Sequence, residues 1–224
     1  MNCNPTTQKK EQYMLIFYRE MVTNGDPEQV MPIVQELAAL GKKHGVPLNI
    51  WSGSNGHVFG TMGVSVRYES LSARAAAGAK LYADKQFLAA TRRLQEVMIG
   101  APGPDMINNI IRGGEGNQEI PLGTVVTQNQ FQLANSGDFL KALTHLNELA
   151  DLVKKLVGID PMIGHTMYGP LGGLGTLSAY ANFAQVDEVV AKLLVSDEYM
   201  TKFLEGGKFA LPGSITQRQV VKIA

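Results

Sequence analysis

The segment ELAALGKKHG at residues 36–45 returns as ELADLVKKLVG at 148–158. Glu36 and Glu148 stand 112 residues apart in a chain of 224, so half the chain separates the two copies. This repeat constrains the fold more than any single motif does. Each half is long enough to form a unit of its own, and both units must follow one plan.

The apolar pattern changes period in the same order in both halves. The run YMLIFY at 13–18 ends in TNGD and Pro27, which predicts a strand, a turn and a helix start. TVVTQNQFQL at 124–133, followed by NSGD, repeats it. A helix comes next in each half, with Val30, Ile33, Val34, Leu37 and Leu40 at helical spacing in one and Leu140, Leu143, Leu146, Leu149 and Leu152 in the other. Both end in paired lysines, favourable at the negative end of a helix dipole, and then in Gly45 or Gly158. Continued at the spacing of those glycines, 113 residues, the chain shows short strands at 47–54 and 161–168. The links GSNGHVFG and YGPLGGLG follow, then strands at 63–68 and 176–181. At that offset Val64 and Val66 match Leu177 and Ala179 on the apolar face, and Ser65 and Arg67 match Ser178 and Tyr180 on the other. Helical segments at 71–83 and 84–97, against 186–194 and 196–206, lead through Pro-Gly turns to final strands at 106–112 and 217–223. Each half therefore reads β-α-β-β-α-β, the ferredoxin-like split βαβ order, over 13–114 and 120–224 behind a polar tail at 1–12. The predicted fold class is α+β. A lone unit leaves one sheet face bare, and two copies can press those faces together.

Composition narrows the partners. Apolar residues make up 45% of the chain and charged residues 18%, enough to bury a sizeable core. Twenty basic residues balance twenty acidic ones without a basic stripe, which argues against nucleic acid or an anionic membrane surface as partner. The single cysteine, Cys3, allows no internal disulfide, and the N-terminus lacks the apolar core of a secretory signal peptide, so a cytoplasmic location is expected. A hydrophobic or aromatic small molecule is the favoured partner, and self-association is left open.

The order of elements resembles the dimeric α/β-barrel superfamily, here as a tandem duplication in one chain. Tyr68, Ser70, Leu71 and Arg74 in RYESLSARAAAGAK at 67–80 resemble NIPSNAP-type members of it, and the equivalent stretch at 181–186 lacks them. The resemblance implies a barrel enclosed by the two sheets. It also implies a small-molecule enzyme of monooxygenase, isomerase or cyclase class, acting on a hydrophobic carbonyl or aromatic compound without a tightly bound metal. Haem binding, and ligand binding or assembly without catalysis, are the alternatives. Fold does not choose among them.

In such a barrel the faces turned from the helices line the interior, and alternation nominates the residues. Gln128, Gln130 and Gln132 share one strand face, either a polar pocket wall or a solvated edge. Arg67 could clamp a carboxylate or enolate oxygen and Tyr180 could donate a proton; the bland alternative for Arg67 is an ion pair with Glu69. His165 is the candidate general base or haem ligand, or else a hydrogen-bonded core histidine. Trp51, Met62, Phe131 and Met167 would supply apolar contacts, with Tyr168 adding polarity. His44 and His145 read as structural, and no His or carboxylate set has metal-ligand spacing. GPLGGLG is no phosphate loop, because it contains no Lys-Ser/Thr and leads into a strand rather than a helix.

Overall fold

A computed structural model describes residues 14–114, 119–170 and 172–224. The polar tail and Cys3 lie outside the described residues. The first half runs β1 (Met14–Val22), α1 (Pro27–Lys43), β2 (Asn49–Gly53), β3 (Thr61–Tyr68), α2 (Leu71–Ala83), α3 (Lys85–Glu96) and β4 (Met106–Arg112). The second runs β5 (Val125–Gln132), α4 (Phe139–Val157), β6 (Met162–Tyr168), β7 (Gly173–Tyr180), α5 (Phe183–Leu194), α6 (Asp197–Glu205) and β8 (Thr216–Lys222). Helix starts are fixed by side chains that satisfy the first free N–H groups: Asp26 caps α1, Ser70 caps α2, Asp84 caps α3, Asn182 caps α5 and Ser196 caps α6.

Each half forms a four-stranded antiparallel sheet, β4-β1-β3-β2 and β8-β5-β7-β6. The pairs β2–β8 and β4–β6 join them into one closed eight-stranded barrel. Closure leaves neither half-sheet with an open edge. The barrel is that of two tandem ferredoxin-like units with facing sheets, and all six α-helices pack outside it.

The repeat does not keep one offset, and this decides which residues face inward. The matched helix caps Ser70 and Asn182 are 112 residues apart, as are Asp84 and Ser196. Pairing sets the strands: Gly63 lies opposite Trp51 and Gly175 opposite Gly164, so β3 and β7 also match at 112, while β2 and β6 match at 113. The expectation that Tyr180 is the counterpart of Arg67 is therefore corrected. A slip of one residue exchanges the faces of a strand, so Tyr180 corresponds to Tyr68, and Arg67 to Ala179. Tyr180 is buried against α5 with Val153, Val186 and Val189, on the helix side of the sheet.

In α4 the buried face is Ala142, His145, Leu146, Ala150, Leu152 and Val153, whereas Leu140 is 73% exposed. The predicted face containing Leu140 is thus rotated from the real one, which packs Ala142, Leu146 and Ala150 in one cluster with Ile163 and Leu174 of the sheet.

Candidate functional site

Two kinds of space surround the sheet of the first half. One is a cleft of about 370 Å³ on its outer face, under α2 and α3, walled by Phe17, Met21, Met62, Val66, Phe87 and Leu94. The local sequence explains the gap. AAAGA at 75–79 gives α2 small side chains where it crosses the sheet, and Leu81 is its one buried residue. A Cβ added at Gly78 would touch nothing closer than Tyr82, 4.0 Å away.

A polar corner closes this apolar cleft. Arg19 on β1 and Arg74 on α2 both border it and share Asp105, with Arg19 Nε 2.6 Å from Oδ1 and Arg74 Nη2 2.8 Å from Oδ2. Both guanidinium groups sit over the Phe17 ring, at 5.7 and 4.8 Å from its centroid. Two cations to one carboxylate leave a surplus positive charge at the end of an apolar pocket. Tyr68 also lines the cleft, and burial pushes its phenol up, so it remains a neutral donor near neutral pH. The second repeat carries Asn129, Val186 and Gln217 at the positions of Arg19, Arg74 and Asp105, and Val190 and Phe203 at those of Gly78 and Thr91. The charged corner belongs to the first repeat.

The other space is the barrel lumen. Arg67, Trp51, Gln128 and Gln130 are brought together here, around a cavity of about 170 Å³ to which all eight strands contribute. Trp51 donates its indole N–H to Ser65 Oγ at 2.8 Å, and Arg67 Nη1 reaches the Gly114 carbonyl at 3.4 Å. Tyr18 donates to Glu20 Oε2 at 3.3 Å; burial, then the Glu20 charge, pushes its phenol far up and keeps it protonated.

The remaining predicted residues do not join them. Met62 belongs to the outer cleft, and Phe131 packs chiefly with the α4 core, at the edge of the lumen. His165 faces outward from β6 against Phe139 of α4, with ring centroids 5.6 Å apart, and borders neither the cleft nor the lumen. The same holds for Tyr180, Met167 and Tyr168, the last 51% exposed at the strand end. Among the described residues no group of three or more His, Cys, Asp and Glu could hold a metal ion.

Arg19, Arg74 and Asp105 were missed as site residues, although Arg74 belongs to the NIPSNAP-like stretch. Its neighbours build the corner: Ser70 caps α2 through the Ala73 N–H, and Arg74 lies one turn further on, within reach of Asp105.

His57, His145 and His165 share one response to pH. Burial, the largest cause in each case, holds all three imidazoles below the usual 6.5. The unfolded chain then binds more protons than the native one as pH falls below 6.5, so this stability is present above that value and lost beneath it. Thermal melts should show a midpoint that drops between pH 6.5 and about 5. A midpoint that is flat or rises across this interval would contradict the burial of these rings.

No protein-family model matches the sequence, and no curated protein is significantly similar to it. Solved structures do match. A presumed monooxygenase from Fusobacterium nucleatum aligns over 95% of this chain and 93% of its own, with a TM-score of 0.69 and 8% identity. An anthrone oxidase-like protein aligns over 96% and 93%, with a TM-score of 0.63 and 11% identity. A chlorite dismutase mutant from Candidatus Nitrospira defluvii aligns over 93% and 91%, with a TM-score of 0.53 and 11% identity. The fold is the dimeric α/β barrel. At these identities the likeness extends to that barrel and no further, and among the described residues no helix is long and apolar enough to cross a membrane.

Proposed function

We propose that the chain is a monooxygenase-class enzyme that oxidises a hydrophobic aromatic ketone or phenol bound in the outer cleft of the first repeat. The observation that carries this reading is the apolar cleft of about 370 Å³ ending in two arginines that share one carboxylate. A volume of this size suits a small polycyclic ligand, and convergent polar groups in an apolar pocket orient one. The names of the monooxygenase and the anthrone oxidase-like protein that share the barrel point the same way.

The corner suits chemistry through a substrate anion. A carbon acid conjugated with a carbonyl, directly or through an aromatic ring as in anthrone, loses its proton to water at the open mouth of the cleft, and the enolate oxygen lies against Arg19 and Arg74. Their surplus charge favours the anion in a site of low polarity, the effect expected of a preorganised oxyanion site. The enolate gives an electron to O2, a C–O bond forms, and the hydroperoxide loses water. A CH2 group plus O2 thus becomes C=O plus H2O, with the substrate supplying the electrons.

Anthrone in aerated buffer is the direct test, with oxygen uptake and anthraquinone absorbance as readouts. The protein should accelerate both, and Gly78→Phe, which fills the cleft from its open wall, should abolish the acceleration with an unchanged circular dichroism spectrum. A rate equal to that of buffer alone, or undiminished turnover by Gly78→Phe, would overturn the reading.

A further inference from the structure

The lumen is a separate compartment from the outer cleft, with the sheet between them. We infer that it is a second ligand site, for an uncharged molecule with an apolar end and a carbonyl or hydroxyl group. The inference stands apart from the oxygenase reading.

The hollow comes from the sequence of the second repeat. Trp51 fills the wall of the first repeat, but its counterpart is Gly164, directly opposite Gly175 on β7. With Gly173 these glycines border a chamber of about 450 Å³. Gly173 and Gly175 belong to the glycine-rich stretch GPLGGLG. The chamber and the smaller cavity adjoin: Ile16, Asn108, Gln130, Met162 and Leu177 line both.

Side chains grade along this space. The deep end is mostly apolar, with Trp51, Val126 and Val220 packed together and Leu177 against them, and Arg67 borders it with Nη1 directed to the Gly114 carbonyl. A collar of amides and hydroxyls follows: Gln128, Gln130, Asn108 and Thr166, the last donating to Asn108 Oδ1 at 3.0 Å. At the rim Arg218 is matched by Glu20, 3.5 Å away. Amide and hydroxyl groups exchange hydrogen bonds with a neutral carbonyl or alcohol without a charge having to leave water. An apolar floor below them accepts an aromatic or aliphatic end.

The chain contains one tryptophan, and it lies in this wall, so its emission reports on the lumen. Titration with N-phenylacetamide, excited at the red edge of indole absorption, should give a saturable change in Trp51 emission. Benzoate, of similar size but charged, should bind at least about tenfold more weakly, as should N-phenylacetamide to the double variant Asn108→Leu, Gln130→Leu, in line with the loss of two hydrogen bonds. Gly78→Phe should titrate as the parent does, because it fills only the outer cleft. Absence of a saturable change, equal binding of benzoate, or undiminished binding by the collar variant would each overturn the inference. Failure of anthrone turnover alone would leave these results unaffected and bear on the cleft.

Discussion

Arg74→Met should lower kcat/KM for anthrone about 100-fold while the chain stays folded, the loss typical when one preorganised donor to an oxyanion is removed. The charge balance at the cleft explains the size. Arg19 and Arg74 share Asp105, and without Arg74 the remaining pair is neutral, so nothing favours the enolate over the ketone. The second repeat already carries Val186 at this position, packed in its core, so an apolar side chain here is compatible with the fold. Stopped-flow oxygen consumption and a urea melt on the same sample separate the two effects. A variant that keeps full activity would remove the arginine pair from the chemistry, and one that loses activity only through unfolding would make Arg74 structural.

Leu37→Ala should cost about 2 to 5 kcal/mol, the range for truncating a buried leucine, and lower the melting temperature by about 3 °C per kcal/mol in a chain of this size. Leu37 is 6% exposed in the large core cluster of the first repeat and also borders the outer cleft. Space left by its truncation joins an existing cavity, which gives the core little reason to collapse. Its counterpart Leu149 recurs with the helix motif but is only half-buried and belongs to none of the four core clusters. Leu149→Ala, at a half-buried site, should therefore cost about 1 kcal/mol, the centre of the distribution for point substitutions in general. Equal losses from both variants would mean that the two repeats pack their first helices alike.

The two leucines show how far a repeat can be read. Both helices are legible from spacing, caps and paired lysines, because those act within a turn or two of the chain. Their surroundings are not. Whether Leu149 is buried depends on strands distant in sequence.

Element order, the split βαβ plan of each half and the pairing of the halves follow from local signals: apolar period, turn glycines and prolines, and helix caps. The amide-bearing face of β5 was legible for the same reason, since alternation alone puts Gln128 and Gln130 on one side. Register across the barrel was not, because a strand has a period of two and the offset between the halves falls by one residue, from 113 at β2 and β6 to 112 at β3 and β7. That single residue places Tyr180 on the helix side and makes Ala179 the counterpart of Arg67. The cleft corner needed tertiary structure for another reason. Arg19, Arg74 and Asp105 are brought together only when α2 crosses β1 beside the start of β4, and no short-range pattern records a contact closed over such distances in the chain.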